Sequence, residues 1–544
     1  MSSPAPRLRA PLLWLLLPLM AGLAAAQHWA LPATGPWPVA LLAGAGVMGA
    51  LATAQLARPG WWQMAIVPGM AAFGFLYLHL RFPYLQESAA LPPREVTVVL
   101  EITQGFPSAP TARSASGLAT ITNATQDERL RGRRIYYSVL RRPGPIPLRS
   151  GRYVVQGVLE PLPADHSSFN DYLTNVGVRQ RLTRARVLSV TAPPGRFVRF
   201  CNAADRRLQD ILGRGLENQP APRSLYRAML LGEKAVLTPD QQNAFMRSGT
   251  FHLFSISGLH VMIIALALQG LLRGLRASRR TAALIALPVL WLYVQITGGS
   301  SPAMRAFMMI AFMIASKVFR IPGNPLAALT ASALAILLLD PLQLASTGFQ
   351  MSYAVVAALV LMGGSLGDCW LAYWKPFALL PPTSWRKQHH FVANGGRWLL
   401  RSLAAGWTAF LASTPAGIGF FGLFSPGSLL ANLVIIPLSN VIIGTGFLSL
   451  VLGLVGLTPV SAILNQTAAV VIVVTDRLLQ SGVALPGVFF NAQFRTAWLA
   501  PTSLALMTAT MLLGAGGRWS RRYGGYWLPV AVLGLLILAG ARFG

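Results

Sequence analysis

Cysteine and acidic side chains are both scarce in this chain. Two cysteines in 544 residues, Cys201 and Cys369, exclude a disulfide scaffold, and no Cys/His pair has the spacing of a zinc module. The two thiols are expected on opposite sides of a membrane, where they cannot pair. Acids number 16 against 45 Lys and Arg, a formal net charge of +29, and after Gln241 the only ones are Asp340, Asp368 and Asp476. That shortage removes the carboxylates that hydrolytic sites and metal clusters draw on. A Gly-x-x-x-x-Gly-Lys-Ser/Thr nucleotide loop and an H-x-H-x-D-H cluster are likewise missing. The chain is therefore expected to be no enzyme, with no cofactor and no metal of its own.

What the sequence has in abundance is apolar surface. Hydrophobic residues make up 54%, charged ones 11%, and the mean hydropathy is +0.52, the composition of a polytopic membrane protein with a soluble part. Apolar runs at Pro11 to Trp29, Trp37 to Leu56 and Trp61 to Leu80 each match the thickness of a bilayer. The first resembles a signal peptide, with Arg7 and Arg9 ahead of it and Ala24-Ala25-Ala26 behind. Two further apolar runs follow at once, which favours an uncleaved first helix. Holding Arg7, Arg9 and Arg58 on the cytoplasmic side delivers Tyr84 to the extracytoplasmic side.

The insert that follows reads as β structure. Val96, Val98, Leu100 and Ile102 alternate with polar neighbours, and strand-like runs recur at Gly117 to Asn123, Arg134 to Leu140, Arg152 to Glu160 and Val178 to Val190, separated by Pro, Gly and Ser clusters. Five short strands suit a small OB-like barrel; a β-sandwich fragment gives a similar pattern. An amphipathic helical stretch from Phe197 to about Leu231 and a helix capped at Thr238-Pro239-Asp240 are expected to lie on the membrane surface.

A second membrane block then runs to the end, with spans near Phe251–Leu272, Thr281–Thr297, Pro302–Phe319, Pro325–Asp340, Ser346–Ser365, Ser402–Phe421, Leu429–Val455, Val460–Leu479, Thr496–Ala515 and Tyr526–Gly540. Pro437 and Gly444 to Gly446 suggest that the seventh is two half-helices. The fold class expected is thus an α-helical polytopic membrane protein of about thirteen spans with an inserted extracytoplasmic β-barrel. Its regions are 1–83 (membrane helices), 84–195 (OB-like barrel), 196–250 (amphipathic helices) and 251–544 (polytopic block). The inner turns carry Arg273, Arg276, Arg279, Arg280, Lys317, Arg320, Arg386, Lys387, Arg397, Arg401, Arg518, Arg521 and Arg522, as positive-inside topology requires. The same excess suits an anionic cargo.

Polar residues inside apolar runs are the candidate site. The stretch H-L-F-S-I-S-G-L-H holds His252, Ser255, Ser257, Gly258 and His260 at the mouth of one run. As a regular helix it would stack His252 and His260 on one face. Helix-to-helix hydrogen bonding and the lining of a protected path both explain such residues. Arg305 lies a few residues into a span, where it either snorkels outward or points into a polar cavity. Asp340, Gln350, Ser352, Asn432 and Pro437 mark other breaks, and a helix N-terminus after Ser425-Pro426-Gly427-Ser428 would offer free N–H groups to phosphate oxygens. In the β insert, Arg179, Arg181, Arg184 and Arg186 are placed to meet phosphates or to protect a sheet edge, and one of the adjacent Tyr136 and Tyr137 faces out to stack on bases.

The order of these pieces carries a resemblance. His252 to His260, then Thr297-Gly298 with Ser301-Pro302 and Arg305, Asp340-Pro341, Gly348-Phe349-Gln350-Met351-Ser352-Tyr353, and Ala431-Asn432-Leu433 with Pro437 together resemble the ComEC family of competence proteins. The resemblance implies an inner-membrane channel that passes single-stranded DNA to the cytoplasm during natural transformation, with an extracytoplasmic OB-like domain and C-terminus and a cytoplasmic N-terminus. It implies an outer DNA receptor and a cytoplasmic ATP-driven translocase as partners, besides the lipid bilayer. Many members end in a metallo-β-lactamase-like domain that degrades the second strand; the form expected here lacks it, since this sequence has no such histidine cluster. A transporter of a small anion or envelope precursor, with the β domain as a docking module, is the alternative. A membrane hydrolase built on His252, Ser257 and His260 would lack a carboxylate orienter.

Overall fold

The computed structural model describes residues 10–31, 35–55, 59–86, 92–106, 113–124, 127–141, 147–163, 165, 167–233, 239–254, 256–319, 323–496, 498–520 and 525–543. Arg7, Arg9, Arg58, Thr238, Ser255, Arg320, Arg521 and Arg522 lie outside the described residues.

Alternation of apolar and polar side chains builds five strands: β1 (Arg94–Gly105), β2 (Ser114–Ala124), β3 (Arg134–Leu140), β4 (Arg152–Pro161) and β5 (Gln180–Ala192). Each overlaps one of the runs read from the sequence. They close into a barrel in the order β1-β2-β3-β5-β4, with β1 pairing β4 and with β3 parallel to β5. Val96, Val98, Leu100 and Ile102 all point inward, where they meet Ile121, Tyr137, Tyr153 and Val155. A short helix, α4 (Ser168–Asn175), bridges β4 and β5. In the following sections the helices are numbered in chain order.

Before the barrel come α1 (Leu13–His28), α2 (Trp37–Gln55) and α3 (Pro59–Arg81). Small residues let these helices touch backbone to backbone: a Cβ built on Gly46 would lie 2.4 Å from the Cα of Gly69, the close approach that packs helices in lipid. After the barrel, the helical stretch expected from Phe197 to Leu231 is divided into α5 (Arg196–Gly213) and α6 (Pro220–Leu231). Gly215 with φ +76° turns the chain between them, and Pro220 opens the second helix. Then comes α7 (Pro239–Arg247).

The remaining helices are α8 (Gly258–Gly274), α9 (Arg279–Ile296), α10 (Ser301–Val318), α11 (Pro325–Leu339), α12 (Thr347–Ala358), α13 (Gly364–Tyr373), α14 (Lys387–Phe421), α15 (Ser428–Val455), α16 (Thr458–Val483), α17 (Leu499–Gly516) and α18 (Trp527–Gly540). A π-helical turn, Leu359–Gly363, joins α12 to α13 in one continuous rod. Among the described residues six helices are long and apolar enough to cross a membrane: Trp61–Arg81, Ser301–Val318, Thr347–Tyr373, Ser428–Val455, Thr458–Val483 and Leu499–Gly516.

Two expectations need correction, and one element is new. The run from Phe251 does not start a helix; Phe251–Phe254 is a 3₁₀ turn and α8 begins at Gly258, because the cap lies at Ser257. Nor is α15 split, since it runs unbroken through Pro437 and Gly444 to Gly446. Finally, a second sheet was not anticipated: β6 (Leu423–Phe424), β7 (Phe490–Phe494) and β8 (Ala541–Phe543) pair in that order.

The helices bury two apolar cores. One gathers side chains of α5, α6, α8, α9, α10, α15 and α16; the other gathers α1, α3, α11 to α14, α17 and α18, and Met304 of α10 packs against both. The barrel rests on one end of this block at two places. Arg149 donates to Gly298 O at 2.9 Å, between α9 and α10. Arg134 meets Asp340 at 3.5 Å, at the end of α11, where Gly177 also packs on Leu342.

Candidate nucleic-acid interface

The His252 segment resolves into a helix start. Ser257 sits at the N-cap of α8; its N–H lies 3.3 Å from His260 Nδ1 and its Oγ 2.9 Å from the same atom. This is a capping box with histidine where glutamate or glutamine usually stands. An Nδ1 that accepts from the backbone leaves the proton on Nε2, and that atom is buried with no hydrogen-bond partner among the described residues. His252 belongs to the preceding turn, is exposed, and has Nδ1 3.2 Å from Gly249 O. The two histidines therefore share no helical face. At Gly258 an added Cβ would meet only the Ala306 Cβ at 3.9 Å, so no tight packing explains the glycine.

Arg305 does not snorkel. Its side chain is buried, and one guanidinium nitrogen donates to Gly348 O at 2.9 Å in the first turn of α12. A Cβ at position 348 would stand 3.2 Å from that nitrogen, which accounts for a glycine there. The Arg305 Nε has no partner among the described residues. Gln350 donates to Leu344 O at 3.0 Å while its Oε1 stays unpaired, and Ser352 is half-buried two residues on. Asn432, in the first turn of α15, also buries an unpaired Oδ1, as does Ser439 its Oγ, two residues beyond Pro437. Asp340 binds Arg134 and Gln343 through Oδ2, while its Oδ1 is buried without a partner among the described residues.

The unpaired atoms of His260, Arg305, Gln350, Asn432 and Ser439 lie on helices that pack in succession, α15 against α8, α8 against α10 and α10 against α12; others, such as those on Ser300, Asp340, Asp476 and Ser503, lie off that series. Buried polar atoms without partners are rare in folded proteins and mark places where another polar species is accommodated. The arrangement supplies donors and acceptors along one seam, and no nucleophile–base–carboxylate relay occurs among the described residues. No group of three or more His, Cys, Asp or Glu capable of holding a metal occurs among the described residues.

On the barrel, Tyr137 and Tyr136 part company. Tyr137 is buried inside the barrel, where burial pushes its hydroxyl up to about 12, so it is unavailable for stacking. Tyr136 points outward into a patch with Phe106 and Phe169, at ring separations of 6.2 and 5.5 Å, joined by Tyr172. Phe106, Phe169 and Tyr172 went unnoticed in the sequence; the i, i+3 spacing of the last two on α4 was the available signal. Tyr136 is in register with Arg181 across the β3–β5 pair, which sets the aromatic patch beside the arginine strand. Arg179, Arg184 and Arg186 are exposed, whereas Arg181 is tied to Glu160 at 3.1 Å. At the far side Asp127 accepts from Arg94, which holds its carboxyl below the usual range.

Residues 229–518 match the family model described as Competence protein. The chain belongs to the competence protein family. Among curated relatives it is 30% identical over 142 residues to ComE operon protein 3 of Bacillus subtilis (strain 168), covering 26% of this chain and 18% of that protein. It is 34% identical over 147 residues to Competence protein ComA of Neisseria gonorrhoeae, covering 25% and 21%. Over 221 residues it is 26% identical to Recombination protein 2 of Haemophilus influenzae, covering 39% and 26%. The chain thus spans about a quarter or less of the length of these relatives. No solved structure matches it. The competence segment opens near the end of α6 and closes just beyond α17. It contains the whole polar seam and leaves the barrel outside.

Proposed function

We propose that this protein is the inner-membrane conduit through which single-stranded DNA reaches the cytoplasm in natural transformation, and that it acts without catalysing a reaction. The observation that carries the reading is the coincidence of the competence segment with the seam of unpaired buried polar atoms. Phosphates do not cross hydrocarbon unaided, so a path must present dipoles, cations or water along its length.

On this reading the six long helices, the five shorter apolar ones, α9 and α14 give about thirteen crossings. The N-terminus is cytoplasmic, and the barrel and C-terminus are extracytoplasmic. Contacts support the orientation locally: Gly298 and Asp340 both touch the barrel, as two intervening crossings require. The barrel's strand order suits an OB domain, which receives the strand on Tyr136 and its aromatic neighbours with Arg179, Arg184 and Arg186 at the phosphates. An outer DNA receptor hands the strand over, and a cytoplasmic ATP-driven translocase draws it in.

The test is genetic and biochemical. Deletion should abolish transformation in a competent host, and Arg305→Met should reduce it by at least roughly a hundredfold while the protein still reaches the membrane. Purified full-length protein should bind an oligo-dT strand with an affinity that falls steeply with salt. Normal transformation of the deletion strain would sink the proposal; saturable transport of a small anion in its place would favour a transporter.

A further inference from the structure

The second sheet has no role in the site described above, yet its position is unusual. After Phe421 the chain folds back along α14 instead of leaving it. The Phe424 ring lies 6.1 Å from that of Phe410, and Leu429 reaches the space beside Gly406. The β6–β7–β8 sheet therefore stands beside the apolar half of α14. Open backbone at that level survives only where protein covers it or where it borders water.

Its two faces divide accordingly. Ala492 of β7 and Ala541 of β8 are buried against Ile418 of α14. The alternate residues Asn491 and Gln493 are exposed, and Gln493 is in register with the exposed Arg542. Between this face and α7 lies an open cleft with room for about 410 Å³, lined by Asn243, Arg247, Phe421, Leu423, Asn491 and Gln493 among others. No carboxylate lines it. Arg247 is steadied at its rim: the guanidinium sits 5.0 Å over the Phe489 ring, and Ser425 Oγ donates to Arg247 O at 3.0 Å. α7 packs with the first helical core and the sheet with α14 and α18, so the cleft lies at the junction of the two, where binding sites commonly form.

We infer that this cleft between α7 and the β6–β7 edge is a phosphodiester-binding site for single-stranded nucleic acid, with Arg247 as its cation and Asn243, Asn491 and Gln493 as its neutral donors. The inference rests on the proposed conduit function and adds a second contact point, separate from the barrel. Amides suit the task because they hydrogen-bond phosphate oxygens and base edges without the grip of full charges, and a strand that must move on needs binding weak enough to release. One arginine gives orientation, and Phe421 offers a ring face to a base.

The test uses full-length protein in nanodiscs and fluorescein-labelled oligo-dT. A benzophenone amino acid replacing Gln493, and separately Arg184 of the barrel, is photoactivated with the strand bound. Cross-linking at position 493 is expected, suppressed by unlabelled single strand and not by inorganic phosphate. Arg247→Gln should weaken binding about fivefold and lower the salt slope by about one; Arg247→Lys should restore both, which separates lost charge from misfolding. Cross-linking at 184 alone, with Arg247→Gln unchanged in affinity, overturns the inference and leaves the conduit reading standing. Absence of any strand binding, or displacement by inorganic phosphate as effective as by oligonucleotide, overturns both.

Discussion

The barrel and the helical block use charge in opposite ways. In the barrel, three arginines are answered locally, Arg94 by Asp127, Arg152 by Glu101 and Arg181 by Glu160. Among the described residues of the competence segment the corresponding pairs are Arg227 with Glu233, at its edge, and Arg401 with Asp368, where both partners are largely exposed. Arg305 is buried with only a carbonyl for company. A buried cation without a counter-charge is costly, and in the block Arg305 carries that cost, whereas the barrel keeps Arg179, Arg184 and Arg186 in the open. The difference teaches that the barrel meets its three paired cations with carboxylates near the surface while the block holds one cation inside, against a backbone carbonyl.

The sharpest way to separate folding from function lies within the barrel. Tyr137→Ala empties the interior and should destabilise the barrel by about 3–5 kcal/mol, seen as a lowered Tm or protease resistance of the full chain. Tyr136→Ala should leave stability nearly unchanged while weakening strand binding several-fold. Equal losses of stability from both would erase the distinction.

A smaller effect is expected where α5 and α6 dock. Asp205 is raised from 3.8 to about 6, first by burial and then by Glu233, with Gln209 bridging the two carboxylates. The folded state thus holds this proton more tightly than the unfolded chain. Charged Asp205 costs stability at pH 7, and the cost is relieved as pH falls through 6 toward 4. Hydrogen exchange in α5 and α6 should slow between pH 7.5 and 5 after correction for the intrinsic rate. Asp205→Asn should remove that dependence and gain on the order of 1 kcal/mol at neutral pH; an unchanged slope would contradict the assignment.

The smallest change is expected at Gly258. Its surroundings are open, so Gly258→Ala should lie within about 0.5 kcal/mol of the parent and support near-normal transformation. Gly446 is the contrast: a Cβ there would come 2.3 Å from the Leu230 side chain, and Gly446→Ala should cost roughly 1–3 kcal/mol. If Gly258→Ala proves the more damaging, the open space beside Gly258 is itself needed for function.

Much of this architecture was legible in the sequence, for physical reasons that differ by region. The strands announced themselves because a half-buried strand alternates, and β3 was bounded to the residue at Arg134 and Leu140. The start of α8 was not, because apolar Phe251, Leu253 and Phe254 continue the hydropathy of the helix while the cap at Ser257 depends on a histidine standing in for an acid. The split of α5 from α6 was written in Gly215 and Pro220 and overlooked within a longer amphipathic period. The second sheet had no local signal at all: its pieces are two, five and three residues long and meet only through the packing of α14, α16 and α18. Arg305 was found by sequence, but its partner at Gly348 required three dimensions.

The mounting of the barrel has one more consequence. Arg149 on the α9–α10 turn and Arg134 with Gly177 on the α11–α12 turn tie the barrel to the helical block, and Tyr84, just after α3, adds a hydrogen bond to Gly177 O at 3.1 Å. The turns that hold the barrel are thus the ones that feed α10 and α12, the helices bearing Arg305 and Gln350, so a substitution that loosens Arg149 or Arg134 also frees the starts of those helices.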